Sequence, residues 1–336
     1  MTAIFAEVEK KKLSGVPEKY QRSVLRLLRA SMSENTRRAY AAALRSFFSW
    51  CSDNGVQPFP TETGTALAYL GYLQEQGRAL ASAYNVVAAI KKLHVLNGLS
   101  SPTDAPSVKE AIKGFVKLAP KRQPVTAATL EDVKKMVLAI DAAPGYGEAR
   151  KKRDKALIIL AFAGGFRREE LVRLRMSDIS WRRDSGGETV LLLRVQHSKT
   201  DTPGGDPQVK AFFWASDPRF DPQLLLKEWL DELPDDGGDL PIFRGITRKK
   251  ATTGGIKSEA MDATTFRQVV KRAARLAGLS GVSPHSLRAG FVTEALRQGR
   301  SERSVMNQTG HKSAARMREY YRRLDVTEDN AERGLI

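Results

Sequence analysis

The chain has 336 residues, enough for about two domains of ordinary size, and an apolar fraction of 41% that excludes global disorder. Lys and Arg number 55 against 38 Asp and Glu, a formal charge of +17. That balance makes a polyanion the expected partner, because neutralising phosphates releases condensed counterions.

From the N-terminus, Met1 to Lys12 lacks the apolar core of a secretory signal. No later apolar run approaches the roughly 18–20 residues that span a bilayer, so a cytoplasmic protein with no membrane partner is expected. The first third reads as helices. Glu18 to Ala30 carries Val24, Leu25, Leu27 and Leu28 among arginines, and Ser31-Met32-Ser33-Glu34 offers a capping box before a helix through Trp50. On that helix Tyr40, Leu44, Phe47 and Phe48 recur at helical spacing. Cys51, the single cysteine, excludes an internal disulfide and a cysteine-based zinc site, and reads as a buried small hydrophobe. Further helices are expected over Thr63 to Gln76, Ala81 to Asn97 and Val108 to Leu118. Two prolines and two charges in Ala119 to Pro124 then break the pattern. The expected division is a helical domain over 1–119, a linker over 120–126 and a second domain over 127–336.

Thr129, with Asp132 three residues on, opens a new helix, and the strongly apolar Asp154 to Gly164 forms the core of the second domain. Thr189 to Val195 is the one convincing β signal, continued after a turn by Val209 to Trp214. Helices return over Gln223 to Glu232, Asp262 to Ala277, Pro284 to Gln298, Glu302 to Gln308 and Ala314 to Arg323. The fold class is mainly α with a small antiparallel sheet in the second domain.

Several segments carry chemistry. In Ser283-Pro284-His285-Ser286-Leu287-Arg288, Ser283 is a good N-cap and Pro284 suits the first helical position. His285 and Arg288 are three apart, on one side of a helix start where an anion is favoured. Gly164 and Gly165 allow a sharp turn that places Arg167 at a helix opening, with Glu170 spaced to orient its guanidinium. Lys199 lies at a hairpin tip, where a solvated turn lysine is the plainer reading. Gly310 stops a helix just before His311, and the last helix carries Tyr320 and Tyr321 among four arginines. A metal site built from His197, His285 and His311 has no paired ligand spacing or carboxylate cluster behind it.

In this order these segments resemble the tyrosine recombinases, also called the phage integrase family, most nearly its Cre and Xer types. The likeness runs from Gly165 to Asp325: Gly165-Phe166-Arg167-Arg168-Glu169-Glu170-Leu171, then Lys199, His285-Ser286-Leu287-Arg288, Gly310-His311 and Tyr320, with Arg322, Leu324 and Asp325 after it. The resemblance implies a helical DNA-binding domain and an α+β catalytic domain closing as a C-shaped clamp on DNA. It implies a transesterification in which Tyr320 is the nucleophile, Arg167 and Arg288 clamp the phosphate and Lys199 is the general acid. His285 accepts a proton or holds the phosphate, His311 donates to a phosphate oxygen, and Glu170 supports the arginines. One phosphoester replaces another, so neither ATP nor any other cofactor or metal is called for. Tyr321, about 100° around the helix, is the alternative nucleophile; the spacing from His311 and Arg322 selects Tyr320.

The resemblance further implies double-stranded DNA with a short inverted-repeat site as partner, and a homotetramer on two paired sites that is monomeric or weakly associated when free. Candidate DNA contacts are Arg37, Arg38, Arg45, Lys91, Lys92 and His94 in the first domain, and Arg267 and Lys271 in the second. Leu324, Val326, Leu335 and Ile336 are expected to dock the tail on a neighbouring subunit. Excision or resolution is the expected role, and the lack of the additional N-terminal arm-binding domain that larger integrases carry favours a simple short inverted-repeat site. The alternatives are a phage or mobile-element integrase, a type IB topoisomerase-like enzyme, a non-catalytic DNA-binding protein and a basic scaffold or RNA binder.

Overall fold

The computed structural model describes residues 16–120, 126–196, 207–247, 255–311, 313–315 and 317. They fall into two units, Met1–Gln123 and Pro124–Ile336, with separate cores.

Among the described residues the first unit has five α-helices: α1 (Glu18–Ala30), α2 (Glu34–Asp53), α3 (Thr63–Glu75), α4 (Leu80–Leu96) and α5 (Pro106–Leu118). Ser33 caps α2, its hydroxyl accepting from the Thr36 amide at 3.2 Å. The box expected from Ser31 to Glu34 does not form, because Ser31 is the C-cap of α1 and Glu34 pairs with Arg38 one turn on. Leu44, Phe47 and Cys51 recur on one face of α2, buried with Tyr69 and Leu73 of α3 and Val86, Ile90 and Leu93 of α4. Phe47 meets Tyr69 edge-on, with ring centroids 5.0 Å apart. Burial pushes the Cys51 thiol up to about 11, as suits a packing group.

In the second unit α6 (Leu130–Asp141) opens on a complete capping box. The Asp132 amide donates to the Thr129 hydroxyl at 3.1 Å, and the Thr129 amide to the Asp132 carboxylate at 3.0 Å. α7 (Glu148–Ala163) lies at the centre of the unit, with α6, α9 (Pro222–Leu230) and α11 (Pro284–Arg297) packed on it. It starts at Glu148 rather than Asp154, because two of its charges are interior. Arg153 binds Asp154 Oδ1 through Nε (2.8 Å) and Nη2 (2.7 Å), and the Tyr146 hydroxyl donates to Oδ2 at 2.5 Å. Burial and the adjacent Asp154 push the Tyr146 phenol up to about 12.

After the one-turn α8 (Arg168–Val172), strands β1 (Ile179–Arg183), β2 (Thr189–Val195) and β3 (Gln208–Phe212) form an antiparallel sheet in that order. Leu191, Leu193 and Val195 alternate into the core from β2. Their partners in register include Phe212 opposite Leu191 and Lys210 opposite Leu193. A second hairpin pairs β4 (Arg244–Ile246) with β5 (Ile256–Ala260), and α10 (Ala263–Leu276), α11 and α12 (Glu302–Thr309) follow. β1, β4 and β5 lie outside the expected strands: Ser180 to Arg183 are all exposed and carry no apolar alternation. The architecture is mainly helical with small antiparallel sheets.

Candidate active site

Three chain segments, distant in sequence, interlock in the second unit. The first follows α7. Gly165 turns the chain with φ +52°, a left-handed conformation that L side chains adopt at a cost, and Arg167 becomes the N-cap of α8. Glu170, 3% exposed, accepts from the Arg167 amide at 2.9 Å and from its Nη1 at 2.6 Å. One buried carboxylate thus holds both backbone and guanidinium of Arg167, a charge-assisted arrangement that fixes the side chain's direction.

The second segment opens α11. Ser283 and Ser286 exchange amide-to-hydroxyl bonds of 3.3 and 3.1 Å, with Pro284 as the first helical residue. One turn in, Arg288 is buried (2% exposed), whereas His285 is exposed at the helix start. The two therefore differ in depth although they lie on one side. Arg288 donates through Nη1 to the carbonyl of Gly165 and through Nη2 to His311 Nε2 at 3.0 Å.

The third segment ends α12. Gly310 adopts φ +70°, a left-handed conformation that favours glycine, and a Cβ there would lie 2.5 Å from Gln208 Oε1, so that side chain would have to shift. Its carbonyl accepts from Arg167 Nη2 at 3.4 Å. Because an arginine cannot accept, His311 Nε2 is the acceptor and the neutral ring carries its proton on Nδ1. Nδ1 then donates to the Thr309 hydroxyl at 2.7 Å, which passes its own proton to the Val305 carbonyl at 2.7 Å. Burial first, then Arg288, Arg167, Lys210 and His285, push the imidazole down to about 3. The resemblance assigns His311 to a phosphate oxygen; here its Nε2 holds Arg288.

Both guanidiniums thus reach the Gly310–His311 dipeptide, and Arg288 also reaches the turn that delivers Arg167. Such a pair, held by neutral acceptors and one buried carboxylate, suits an oxyanion with charge on non-bridging oxygens. Lys199, His197, Tyr320, Tyr321 and the tail beyond lie outside the described residues.

Of the DNA-contact candidates, Arg37, Arg38 and Arg45 are exposed on α2, and Arg267 and Lys271 on α10. On α4, Lys91 is exposed and pairs with Asp104, and Lys92 is half-buried. His94 is a correction. It is 2% exposed, with Nε2 accepting from the Thr61 amide at 3.0 Å and Nδ1 bonded to the Ile90 carbonyl at 2.9 Å. Its ring is a packing and hydrogen-bonding element that ties the α2–α3 connection to α4.

The sequence reading missed three β3 and α12 residues that support the site. Lys210 donates to the carbonyls of Gly164 (2.9 Å) and Gln308. The Gln208 amide reaches the carbonyls of Asn307 and Gln308, and the Gln308 amide those of Ala163 (3.3 Å) and Ala211 (3.1 Å). The available signal was parity: Lys210 shares its strand face with Phe212, opposite the apolar positions of β2.

The model of the phage integrase family matches residues 220–327. The integrase/recombinase xerD homolog of Selenomonas ruminantium is 30% identical over 313 residues, covering 91% of this chain and 86% of its own. Tyrosine recombinase XerA of Pyrococcus furiosus is 27% identical over 290 residues, covering 86% of this chain and 84% of its own. Two solved structures share the fold. XerH site-specific recombinase, bound to palindromic difH substrate in a post-cleavage complex, superimposes with a TM-score of 0.57 and 20% identity, over 85% of this chain and 75% of that one. The Tn1549 transposon integrase in complex with circular intermediate DNA gives 0.58 and 15%, over 97% and 98%. With a relative 30% identical across most of both chains and the family model matching its second unit, this chain belongs to the phage integrase family of tyrosine site-specific recombinases.

Proposed function

We propose that the second unit cuts and rejoins DNA through a covalent bond to Tyr320, exchanging strands between two paired copies of a short inverted-repeat site. The observation that carries the reading is the convergence of Arg167 and Arg288 on Gly310–His311. The Tyr320 oxygen attacks the scissile phosphorus, the bond to the 5′ oxygen breaks, and a 3′-phosphotyrosyl ester remains. Lys199 supplies the proton to the leaving 5′ oxygen, and His285 takes up the phenol's proton or holds the phosphate. A free phenol ionises near 10, and two adjacent guanidiniums favour the phenolate. Proton transfer of this kind contributes about 10²–10⁴-fold. A 5′-hydroxyl from the partner site then reverses the step, so the phosphoester count is unchanged and strands are exchanged through a Holliday junction.

The first unit serves as the core DNA-binding domain. Arg37, Arg38, Arg45, Lys91 and Lys92 there, with Arg267 and Lys271 on α10, contact phosphates, which position the duplex without specifying sequence. The pairs Arg38–Glu34 and Lys91–Asp104 are exposed and exchange readily for phosphate. We assign resolution or excision by a tetramer in the cytoplasm, with the tail around Leu324, Val326, Leu335 and Ile336 docking between subunits.

The test is denaturing electrophoresis of the protein with labelled, nicked duplex recovered by binding selection from random-sequence DNA. A covalent band lost in Tyr320→Phe and retained in Tyr321→Phe is the expected result. Loss in Tyr321→Phe alone moves the nucleophile, and no band from the wild-type chain on bound DNA sinks the enzyme reading.

A further inference from the structure

Lys210 has no role in the scheme above, yet it is fully buried beneath it. Its exposure is 0%, on the core face of β3, where an aliphatic side chain would pack at lower cost than an ammonium. Its protons are accounted for by two carbonyls and an aromatic face: Nζ donates to Gly164 and Gln308, and stands 4.8 Å from the centroid of the Phe166 ring. Gly164 is the C-cap of α7, and Gln308 lies in the last turn of α12. Two helix C-termini therefore aim terminal carbonyls at one cation, each end carrying roughly −0.5 of an elementary charge.

The location of those carbonyls gives the lysine its significance. Gly164 precedes Arg167 by three residues, and Gln308 precedes His311 by three. We propose that Lys210 is a positioning residue for the phosphate clamp: its ammonium ties the end of α7 to the end of α12, and cancels the two negative helix ends that would otherwise face a bound phosphate. The inference rests on the transesterification reading and adds a buried cation to it. Lys210 acts through the segments bearing Arg167 and His311, to whose preceding carbonyls it donates. Gln208 and Gln308 reinforce the same junction, the first donating to the carbonyls of Asn307 and Gln308 and the second to those of Ala163 and Ala211.

The balance of charge around Nζ agrees with this geometry. Burial, with Arg288 and Arg167, draws the ammonium down to about 7 against the opposing pull of Glu170. An anion held by the two arginines would draw it back up, so phosphate binding and protonation of Lys210 reinforce each other.

The test compares wild type, Tyr320→Phe and Lys210→Met on the selected nicked duplex, measuring DNA dissociation constant, single-turnover adduct formation and melting temperature. For Lys210→Met the proposal expects adduct formation slowed at least about tenfold, with DNA affinity within about threefold of wild type, as misplacement of a clamp would produce. Adduct formation within threefold of wild type overturns it. Parallel loss of affinity and cleavage also overturns it, because that pattern marks a damaged binding surface. Should the methionine variant fail to fold, Lys210→Gln, which keeps a donor without the charge, is judged by the same criteria. A wild-type chain that forms no Tyr320-dependent adduct removes the transesterification reading, and this inference with it.

Discussion

His311 Nε2 accepts a hydrogen bond from Arg288 at 3.0 Å, although both residues are basic. The contact is possible only if the imidazole is neutral with its proton on Nδ1, and the Thr309 hydroxyl receives that proton at 2.7 Å. The histidine is thereby committed to orienting an arginine in the chain as it stands, and the arginine in turn suppresses the histidine's own ionisation.

Titration of this ring should therefore be displaced far to the acid side. Its pKa is drawn from 6.5 to about 3, so the unfolded chain takes up a proton first as pH falls. The histidine's contribution to stability is complete above about 6.5 and is lost progressively as pH falls toward 3. Nitrogen NMR of labelled imidazole should show a neutral Nδ1–H ring throughout pH 5–8, and Arg288→Ala should raise its midpoint. A ring titrating near 6.5 in the wild-type chain would refute the assignment.

Glu170 is the sole carboxylate seen holding Arg167 among the described residues, and it is buried. Glu170→Ala should lower unfolding stability by about 3 kcal/mol, the scale for breaking a buried, hydrogen-bonded charge pair. Adduct formation should fall about 10²-fold through misplacement of the guanidinium. Glu170→Gln, which keeps one acceptor, should lie between. Chemical denaturation and single-turnover cleavage measure the two effects, and an alanine variant with wild-type cleavage would detach Glu170 from the clamp.

At Gly310 the left-handed backbone disfavours a side chain, and a Cβ would meet the end of Gln208. Gly310→Ala should cost about 1–2 kcal/mol for the left-handed conformation alone. It should also displace the Gln208 amide, and with it His311. Thermal melting with nicked-duplex cleavage checks this; unchanged values in both would mean that α12 can end another way.

His94 and Arg45 separate packing from DNA contact in the first unit. His94→Ala should reduce stability by about 2–3 kcal/mol, since the buried Thr61 amide loses its acceptor. It should leave the salt dependence of DNA affinity unchanged. Arg45→Ala should do the reverse, lowering the slope of log affinity against log salt by about one. A reduced slope in His94→Ala would restore the histidine to the DNA surface.

What the sequence disclosed follows from which interactions are local. The cap at Thr129, the stop at Gly310 and the apolar run in α7 are set by neighbours within a turn or two, so residue type alone reveals them. The Arg167–Glu170 pairing is local for the same reason. His94 and Lys210 misled or escaped because a polar side chain on a helix or strand reads as solvated until its distant partners are known. Those partners are Thr61 for one, and Gly164 and Gln308 for the other. The expected start of α7 at Asp154 fell short of Glu148 for the same reason, because the charges of Arg153 and Asp154 are paired in the interior. β1 went unseen because its exposed residues show no alternation.

The amide of Gln308 that reaches the Ala211 carbonyl has one more consequence. Among the described residues β3 has a sheet neighbour on one side only, and an open strand edge is a template on which a second chain can add its own strand. With the Gln308 side chain seated on that edge beside the end of α12, an incoming strand meets an acceptor already taken. The contact that braces the segment before His311 therefore also occupies a backbone acceptor that an added strand would need.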